Sequence, residues 1–155
     1  MTFAAMVATF GGAGRLKPAP GTWGSAAALV LAVPLDLLGG RLVLGLAALL
    51  AFGVGLWGAG AYATAQGAKD PSEVVIDEVA GLWLVFAFIP LTAVTAILGF
   101  LLFRLFDIAK PWPISWANSA VPGALGIMLD DCFAGLAAAA VLWGAAHMFP
   151  MLLAS

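Results

Sequence analysis

The side chains of this chain that can do chemistry are few, and most of them lie in four short clusters. Among 155 residues there are six Lys or Arg and eight Asp or Glu, and only Asp36 and Arg41 fall outside the clusters. The clusters are Arg15 and Lys17; Lys69, Asp70, Glu73, Asp77 and Glu78; Arg104, Asp107 and Lys110; and Asp130 and Asp131. Several carboxylates brought into one region make a site for a hard divalent cation, and Mg²⁺ often shares its ligand shell with a substrate phosphate.

Two of the clusters contain adjacent carboxylates that run directly into apolar segments. Asp77 and Glu78 precede the segment that starts at Val79, and Asp130 and Asp131 precede another. One carboxylate at a helix start can cap free amide groups and suit the helix dipole, but capping does not account for adjacent pairs. Ionisable groups at the ends of membrane helices are costly unless they are paired or bound to a metal. We therefore predict that the magnesium ligands are Asp77, Glu78, Asp107, Asp130 and Asp131.

The basic side chains are placed to bind a phosphate beside these carboxylates. Arg104, Asp107 and Lys110 follow one another at intervals of three, so they lie near one face of a helix. Arg104 can bind a phosphate through its planar fork, whereas Lys110 and Lys17 act as point charges. Lys69, Asp70 and Glu73, by contrast, are interpreted as ordinary loop charges.

Glycines accompany the carboxylates at helical spacing. Gly81 lies one turn after Asp77, and Gly135 lies one turn after Asp131. Because glycine has no side chain, another helix or a lipid headgroup can approach closely at these positions.

The stretch Lys17-Pro-Ala-Pro-Gly-Thr-Trp-Gly-Ser25 has two interpretations. Thr22 or Ser25 can cap the helix that follows. Alternatively, backbone amides at this helix start hold a phosphate, with Lys17, Thr22 and Ser25 contributing to substrate binding. Both can be true.

The elements that position these residues are predicted to be membrane helices. The chain is 64% hydrophobic and 9% charged, whereas soluble domains are nearer half apolar and a quarter charged. No charged residue occurs in 42–68, 79–103 or 132–155, and a span needs roughly 20 apolar residues in a helix. We predict an all-α, polytopic integral membrane bundle that forms a single domain, 1–155.

About five hydrophobic helices are expected, at roughly 23–38, 42–65, 79–89, 93–106 and 131–149, with a turn at Gly39, Gly40 and Arg41. Pro90 interrupts the run 79–103, which is either one kinked span or a short helical hairpin. The hairpin is favoured because it places Glu78 and Arg104 on the same side of the membrane, where they can share one site. The segment 107–130 is predicted to be an interfacial loop. Met1 to Gly14 lacks the basic start of a signal peptide and is predicted to be a short surface segment, either amphipathic or loop-like.

Charge also predicts orientation and limits the partners. In the hairpin arrangement the basic residues gather on one side, which the positive-inside tendency assigns to the cytoplasm, and only Arg41 lies opposite. The net charge of -2 and the lack of a basic run argue against a nucleic-acid partner. No obligate protein partner is evident.

The motifs resemble the phosphatidylglycerophosphatase A family over almost the whole chain, with no departure at a charged position. The matching stretches are Lys17 to Ser25, Val75-Ile-Asp-Glu-Val-Ala-Gly81, Phe103-Arg-Leu-Phe-Asp-Ile-Ala-Lys-Pro-Trp-Pro-Ile114, and Gly123-Ala-Leu-Gly-Ile-Met-Leu-Asp-Asp131 through Gly135. The resemblance implies a bacterial inner-membrane enzyme of phospholipid biosynthesis. It would use magnesium to hydrolyse phosphatidylglycerophosphate to phosphatidylglycerol and phosphate.

Two mechanisms stay open for such a site. Magnesium can activate a water whose proton passes to a carboxylate, which we favour, or an Asp can attack phosphorus directly. Cys132 lacks a phosphate-loop arginine and His147 lies about four turns beyond Asp131, so neither is expected to be catalytic. The predicted catalytic residues are Asp77, Glu78, Arg104, Asp107 and Asp131.

Two other functions are weighed against this one. The first is a phosphatase for another lipid phosphate, such as phosphatidic acid. The second is a small cation-coordinating transporter, which is disfavoured because the middles of the predicted helices carry no carboxylate.

Overall fold

The computed structural model describes residues 1–150, and all regular secondary structure in that range is helical. The helices are α1 (Phe3–Ala8), a one-turn 3₁₀ helix (Ala13–Arg15), α2 (Pro20–Gln66), α3 (Ile76–Phe88), α4 (Ala93–Ala109), α5 (Ile114–Ala120) and α6 (Gly123–Met148). This confirms the predicted all-α class.

Helix α2 consists of two arms that are joined at a glycine turn. Gly39 and Gly40 leave the helical conformation, and Gly40 has a φ of 60°, which side-chain-bearing residues rarely adopt. The arms, 20–38 and 41–66, therefore correspond to the two helices expected on either side of this turn. The predicted turn is confirmed.

Helix α3 packs against both arms and shows that they are antiparallel. The packed pairs are Gly24 with Val75, Ala28 with Trp83, Gly45 with Ala87, and Gly55 with Ile76. Residue numbers in α3 rise along the first arm and fall along the second. The start and the end of α2 consequently lie at the same end of the molecule as the start of α3.

Helices α3 and α4 form the helical hairpin that the sequence favoured. Pro90 lies in the connection, and Thr92 caps α4 through a reciprocal pair of hydrogen bonds with Thr95. Gly99 packs against Phe86 near the connection, while Arg104 reaches Glu78 at the opposite end. The hairpin thus returns the chain to the end from which α3 started.

The prediction that 107–130 forms a loop is wrong, because most of this segment is helical. Helix α5 is anchored by the buried side chains of Ile114 and Ala117. Helix α6 begins at Gly123, whose φ of 67° turns the chain sharply after Pro122. Asp130 and Asp131 therefore lie two turns inside α6 rather than at its start, and capping cannot explain them.

The N-terminal segment forms a short helix, which excludes the loop-like alternative for Phe3–Ala8. Helix α1 buries Ala5 and Ala8, and Val7 lies against Gly58 of the second α2 arm. The segment thus packs onto the bundle.

Two helices, α2 and α6, are long and apolar enough to cross a membrane. The turn of α2 exposes large aliphatic side chains, since Leu37, Leu38 and Leu42 are 82, 78 and 72% exposed. The charged clusters lie at the other end of the bundle, with the start of α3 and the end of α4.

Candidate active site

Three buried carboxylates converge where α3 meets α6, and we call Asp77, Glu78 and Asp131 the carboxylate trio. Asp77 and Glu78 lie in the first turn of α3, and Asp131 projects from α6. One oxygen from each lies within 4.8 Å of the others. The three residues are 8, 8 and 2% exposed, so water screens them poorly.

Within residues 1–150, each member of the trio has an oxygen without a protein partner. These oxygens are Asp77 Oδ1, Glu78 Oε2 and Asp131 Oδ2, and all are buried. A buried carboxylate with no donor or cation is strongly destabilising. Oxygen ligands at this spacing suit a hard divalent cation such as Mg²⁺, which would relieve that cost. The residues therefore fit a magnesium ion.

The trio is close together because glycines let the α3 and α6 backbones touch. A Cβ atom at Gly81 would lie 2.5 Å from the carbonyl oxygen of Asp131 and 2.7 Å from the Phe103 ring. A Cβ atom at Gly135 would collide with the carbonyl oxygen of Gly81. The close approach predicted at these two glycines is confirmed.

Arg104 lies beside the trio and is held by two carboxylates. Its Nη1 pairs with Asp107 and lies 3.5 Å from Glu78 Oε1. Glu78 thus contacts Arg104 with one oxygen and leaves the other for the trio. The Arg104 Nε is buried without a partner, so the guanidinium still has a donor available.

A second cation, Lys110, is held on the other side of the site. Lys110 Nζ pairs with Asp130 Oδ2 and lies 3.9 Å from Asp107 Oδ1. Burial acts to lower the pKa of Lys110, but the hydrogen bond that Lys110 donates to Asp130 and the negative charge of Asp130 outweigh that effect and raise the pKa. The ammonium group is therefore charged at neutral pH.

All of these groups line one pocket of about 260 Å³. Seven predicted site residues contribute to its wall: Asp77, Glu78, Arg104, Asp107, Lys110, Asp130 and Asp131. The structure adds Asp70, Ser72 and the start of α2 at Ala19, Pro20 and Gly21. Asp70 was interpreted only as a loop charge, and nothing in the sequence distinguishes it from its neighbours.

The predicted substrate-binding residues Lys17, Thr22 and Ser25 do not line this pocket. Lys17 is exposed, and the buried Ser25 hydroxyl donates to the carbonyl oxygen of Gly21 at 2.8 Å. Helix α2 begins at Pro20 and has no side-chain cap, so the prediction that Thr22 or Ser25 caps it is wrong. Pro20 at the first helical position needs no amide partner, which makes such a cap less necessary.

Cys132 and His147 lie outside the trio, as expected. Cys132 is partly buried in α6 next to Asp131 but is not part of the pocket wall. His147 is exposed near the far end of α6, where its ring packs on Trp143 with centroids 4.1 Å apart.

The pocket brings buried carboxylate oxygens together with an arginine and a lysine, an arrangement that suits hydrolysis of a phosphate ester. The chain belongs to the phosphatidylglycerophosphatase A family, whose family model matches residues 6–146.

Two similar proteins carry the family's name, and a third carries another. Phosphatidylglycerophosphatase A of Haemophilus influenzae is 40% identical over 134 residues, which cover 85% of this chain and 82% of the relative. Phosphatidylglycerophosphatase A of Escherichia coli is 34% identical over 143 residues, covering 90 and 81%. A protein of Bacteroides thetaiotaomicron with the provisional name phosphatidylinositol-3-phosphatase is 35% identical over 144 residues, covering 84 and 86%. No solved structure matches the chain.

Proposed function

We propose that this chain hydrolyses phosphatidylglycerophosphate to phosphatidylglycerol and inorganic phosphate, in a magnesium-dependent step of phospholipid biosynthesis. The observation that carries the proposal is the carboxylate trio, whose unpartnered oxygens lie in one pocket with Arg104 and Lys110. Family membership supports the choice of substrate. Magnesium dependence rests on the chemistry of the trio.

The residues of the pocket divide into ligands and phosphate-binding groups. Asp77, Glu78 and Asp131 would hold the magnesium ion. When bound, the ion supplies positive charge near the phosphoryl oxygens and favours ionisation of water. Arg104 and Lys110 bind the phosphoryl oxygens, and Arg104 opposes the charge that grows on them in the transition state.

Hydrolysis then needs a proton acceptor, which the trio also provides. The oxygen of a water forms a bond to phosphorus, and the bond from phosphorus to the glycerol oxygen breaks. A carboxylate oxygen of the trio accepts the water proton, and the glycerol oxygen takes up a proton to leave as an alcohol. We favour this route over direct attack on phosphorus by an Asp.

The surface of the bundle supports a multi-pass membrane location. Five apolar helical segments would lie in the bilayer: the two arms of α2, then α3, α4 and α6. Exposed leucines at the turn of α2 are costly in water and favourable in lipid. Arg104 and Lys110 lie at the site end and Arg41 at the opposite end, where it reaches the carbonyl oxygen of Phe88. This asymmetry favours an active site on the cytoplasmic side of a bacterial inner membrane.

A substrate comparison tests this function. Purified protein in detergent micelles is given phosphatidylglycerophosphate, phosphatidic acid or phosphatidylinositol 3-phosphate at matched surface concentration, and released phosphate is measured. We expect the highest kcat/KM with phosphatidylglycerophosphate. A higher value with either other lipid would assign the enzyme to that substrate instead.

A further inference from the structure

Asn118 belongs to none of the charged clusters, yet its side chain reaches the site. Its Nδ2 donates to Asp130 Oδ2 at 2.8 Å, and the same oxygen accepts from Lys110 Nζ. The other oxygen, Asp130 Oδ1, accepts the backbone N–H of Asp131 at 3.0 Å. Both oxygens of Asp130 thus have protein donors, whereas each member of the carboxylate trio has one oxygen without a partner among the described residues.

This arrangement separates the roles of two adjacent carboxylates. Asp131 belongs to the trio and has a buried oxygen without a partner among the described residues. The oxygens of Asp130, by contrast, accept from Asn118, Lys110 and the backbone. Successive residues on a helix point about 100° apart, so the two side chains face different neighbours. Asp130, predicted to be a magnesium ligand, is therefore placed to hold Lys110.

Lys110 needs such support because its own helix offers only the longer contact with Asp107 Oδ1, at 3.9 Å. It ends α4 in a left-handed conformation, with a φ of 43°, and its side chain is 31% exposed. A lysine side chain that is free to move samples many rotamers, and ordering it costs conformational entropy. Asn118 supplies a neutral donor that fixes the Asp130 carboxylate without competing for its charge.

Helix α5 is in turn held in place beside the loop that precedes α3. Lys69 Nζ donates to the backbone carbonyl oxygen of Asn118 at 3.1 Å, and Ile114 and Ala117 bury the inner face of the helix. The Asn118 side chain therefore starts from a fixed backbone.

We propose that Asn118 is a positioning residue that acts through Asp130 to hold the Lys110 ammonium group at the pocket, where it binds the phosphate of the lipid substrate. The role rests on the proposed function. Because a point charge attracts the phosphate in the ground state and in the transition state alike, its loss raises KM and changes kcat little. A purely structural role would instead lower the amount of active enzyme and leave KM unchanged.

The test compares Asn118→Leu, which has a similar volume and no donor, with Asn118→Asp, which keeps the shape and adds a negative charge. We expect KM for phosphatidylglycerophosphate to rise roughly tenfold in Asn118→Leu and further in Asn118→Asp, with kcat within about twofold of the unmodified enzyme. Ser119→Ala is the matched control, since Ser119 is exposed and bonds only to the carbonyl oxygen of Ser115 within α5. It should leave both constants unchanged.

A double-mutant cycle with Lys110→Met makes the test specific. If Asn118 acts through Lys110, adding Asn118→Leu to Lys110→Met should raise KM no further. Three results would each overturn the positioning role. The first is additive effects on KM in the double variant, and the second is an unchanged KM in Asn118→Leu. The third is a fall in kcat that only follows a lower unfolding temperature. Failure of the unmodified protein to release phosphate would refute the proposed function and this role with it, whereas normal variants of an active enzyme refute the role of Asn118 alone.

Discussion

Gly81→Ala should separate helices α3 and α6 where they carry the carboxylate trio. The new Cβ would lie 2.5 Å from the carbonyl oxygen of Asp131, and ordinary van der Waals contact begins near 3.4 Å. The two backbones would therefore have to move apart by about 0.9 Å. Asp77 lies one turn from Gly81 on the same helix, so the shift is passed to oxygens that now lie within 4.8 Å of one another. A misplacement of about 1 Å can cost roughly a hundredfold in rate, and we expect kcat to fall by about that factor.

The assay is phosphate release from phosphatidylglycerophosphate in micelles, with the unfolding temperature of each variant measured in the same detergent. Gly135→Ala should behave like Gly81→Ala, because its Cβ would collide with the carbonyl oxygen of Gly81. Gly144 is also on α6, and the described part of the chain has no atom within 4 Å of a Cβ added there. Gly144→Ala should therefore keep wild-type kcat. A Gly81→Ala protein with unchanged kcat and unfolding temperature would refute the reasoning.

Three further predictions follow from the placement of single residues. Arg104→Lys keeps the charge but loses the planar fork, so kcat should fall by about 10²–10³ with little change in KM, as measured by steady-state kinetics; a loss confined to KM would contradict a transition-state role. His147→Ala should keep full activity in the same assay, because His147 is exposed at the far end of α6; a dead variant would show that the site is misplaced. Cysteines at Ser72 and Ser115, each in a Cys132→Ser background, should be labelled from the same, cytoplasmic side of the membrane, and labelling from opposite sides would exclude the hairpin.

The sequence predicts the architecture around the site because its signals are local. Gly39 with Gly40 indicates the turn in α2. Pro90 between two apolar runs indicates a break that allows either a kinked span or a hairpin, and the hairpin is favoured because it brings Glu78 and Arg104 together. The glycines at 81 and 135 predict a close helix contact because each lies one turn from a carboxylate. These patterns depend on neighbours in the chain, so they can be recognised before the fold is known.

The parts that the sequence does not predict depend on tertiary contacts. The segment 107–130 has the Pro, Gly, Ser and Asn content of a loop, and its helices are stabilised by the burial of side chains such as Ile114. Asn118 forms a hydrogen bond with Asp130, which lies 12 residues further along the chain. No periodicity in the sequence indicates that these two residues are in contact. Adjacent carboxylates such as Asp130 and Asp131 look equivalent in sequence, and only their orientation in the structure separates their roles.

The most direct test of the central claim is the magnesium dependence of phosphate release at the carboxylate trio. Purified protein and Asp131→Asn, matched for unfolding temperature, are assayed with phosphatidylglycerophosphate in magnesium, in excess chelator, and after magnesium is restored. We predict release by the unmodified protein only when magnesium is present, full recovery on its return, and almost no release by Asp131→Asn under any condition. Undiminished release in excess chelator, or normal release by Asp131→Asn, would contradict the assignment of the trio as a catalytic magnesium site.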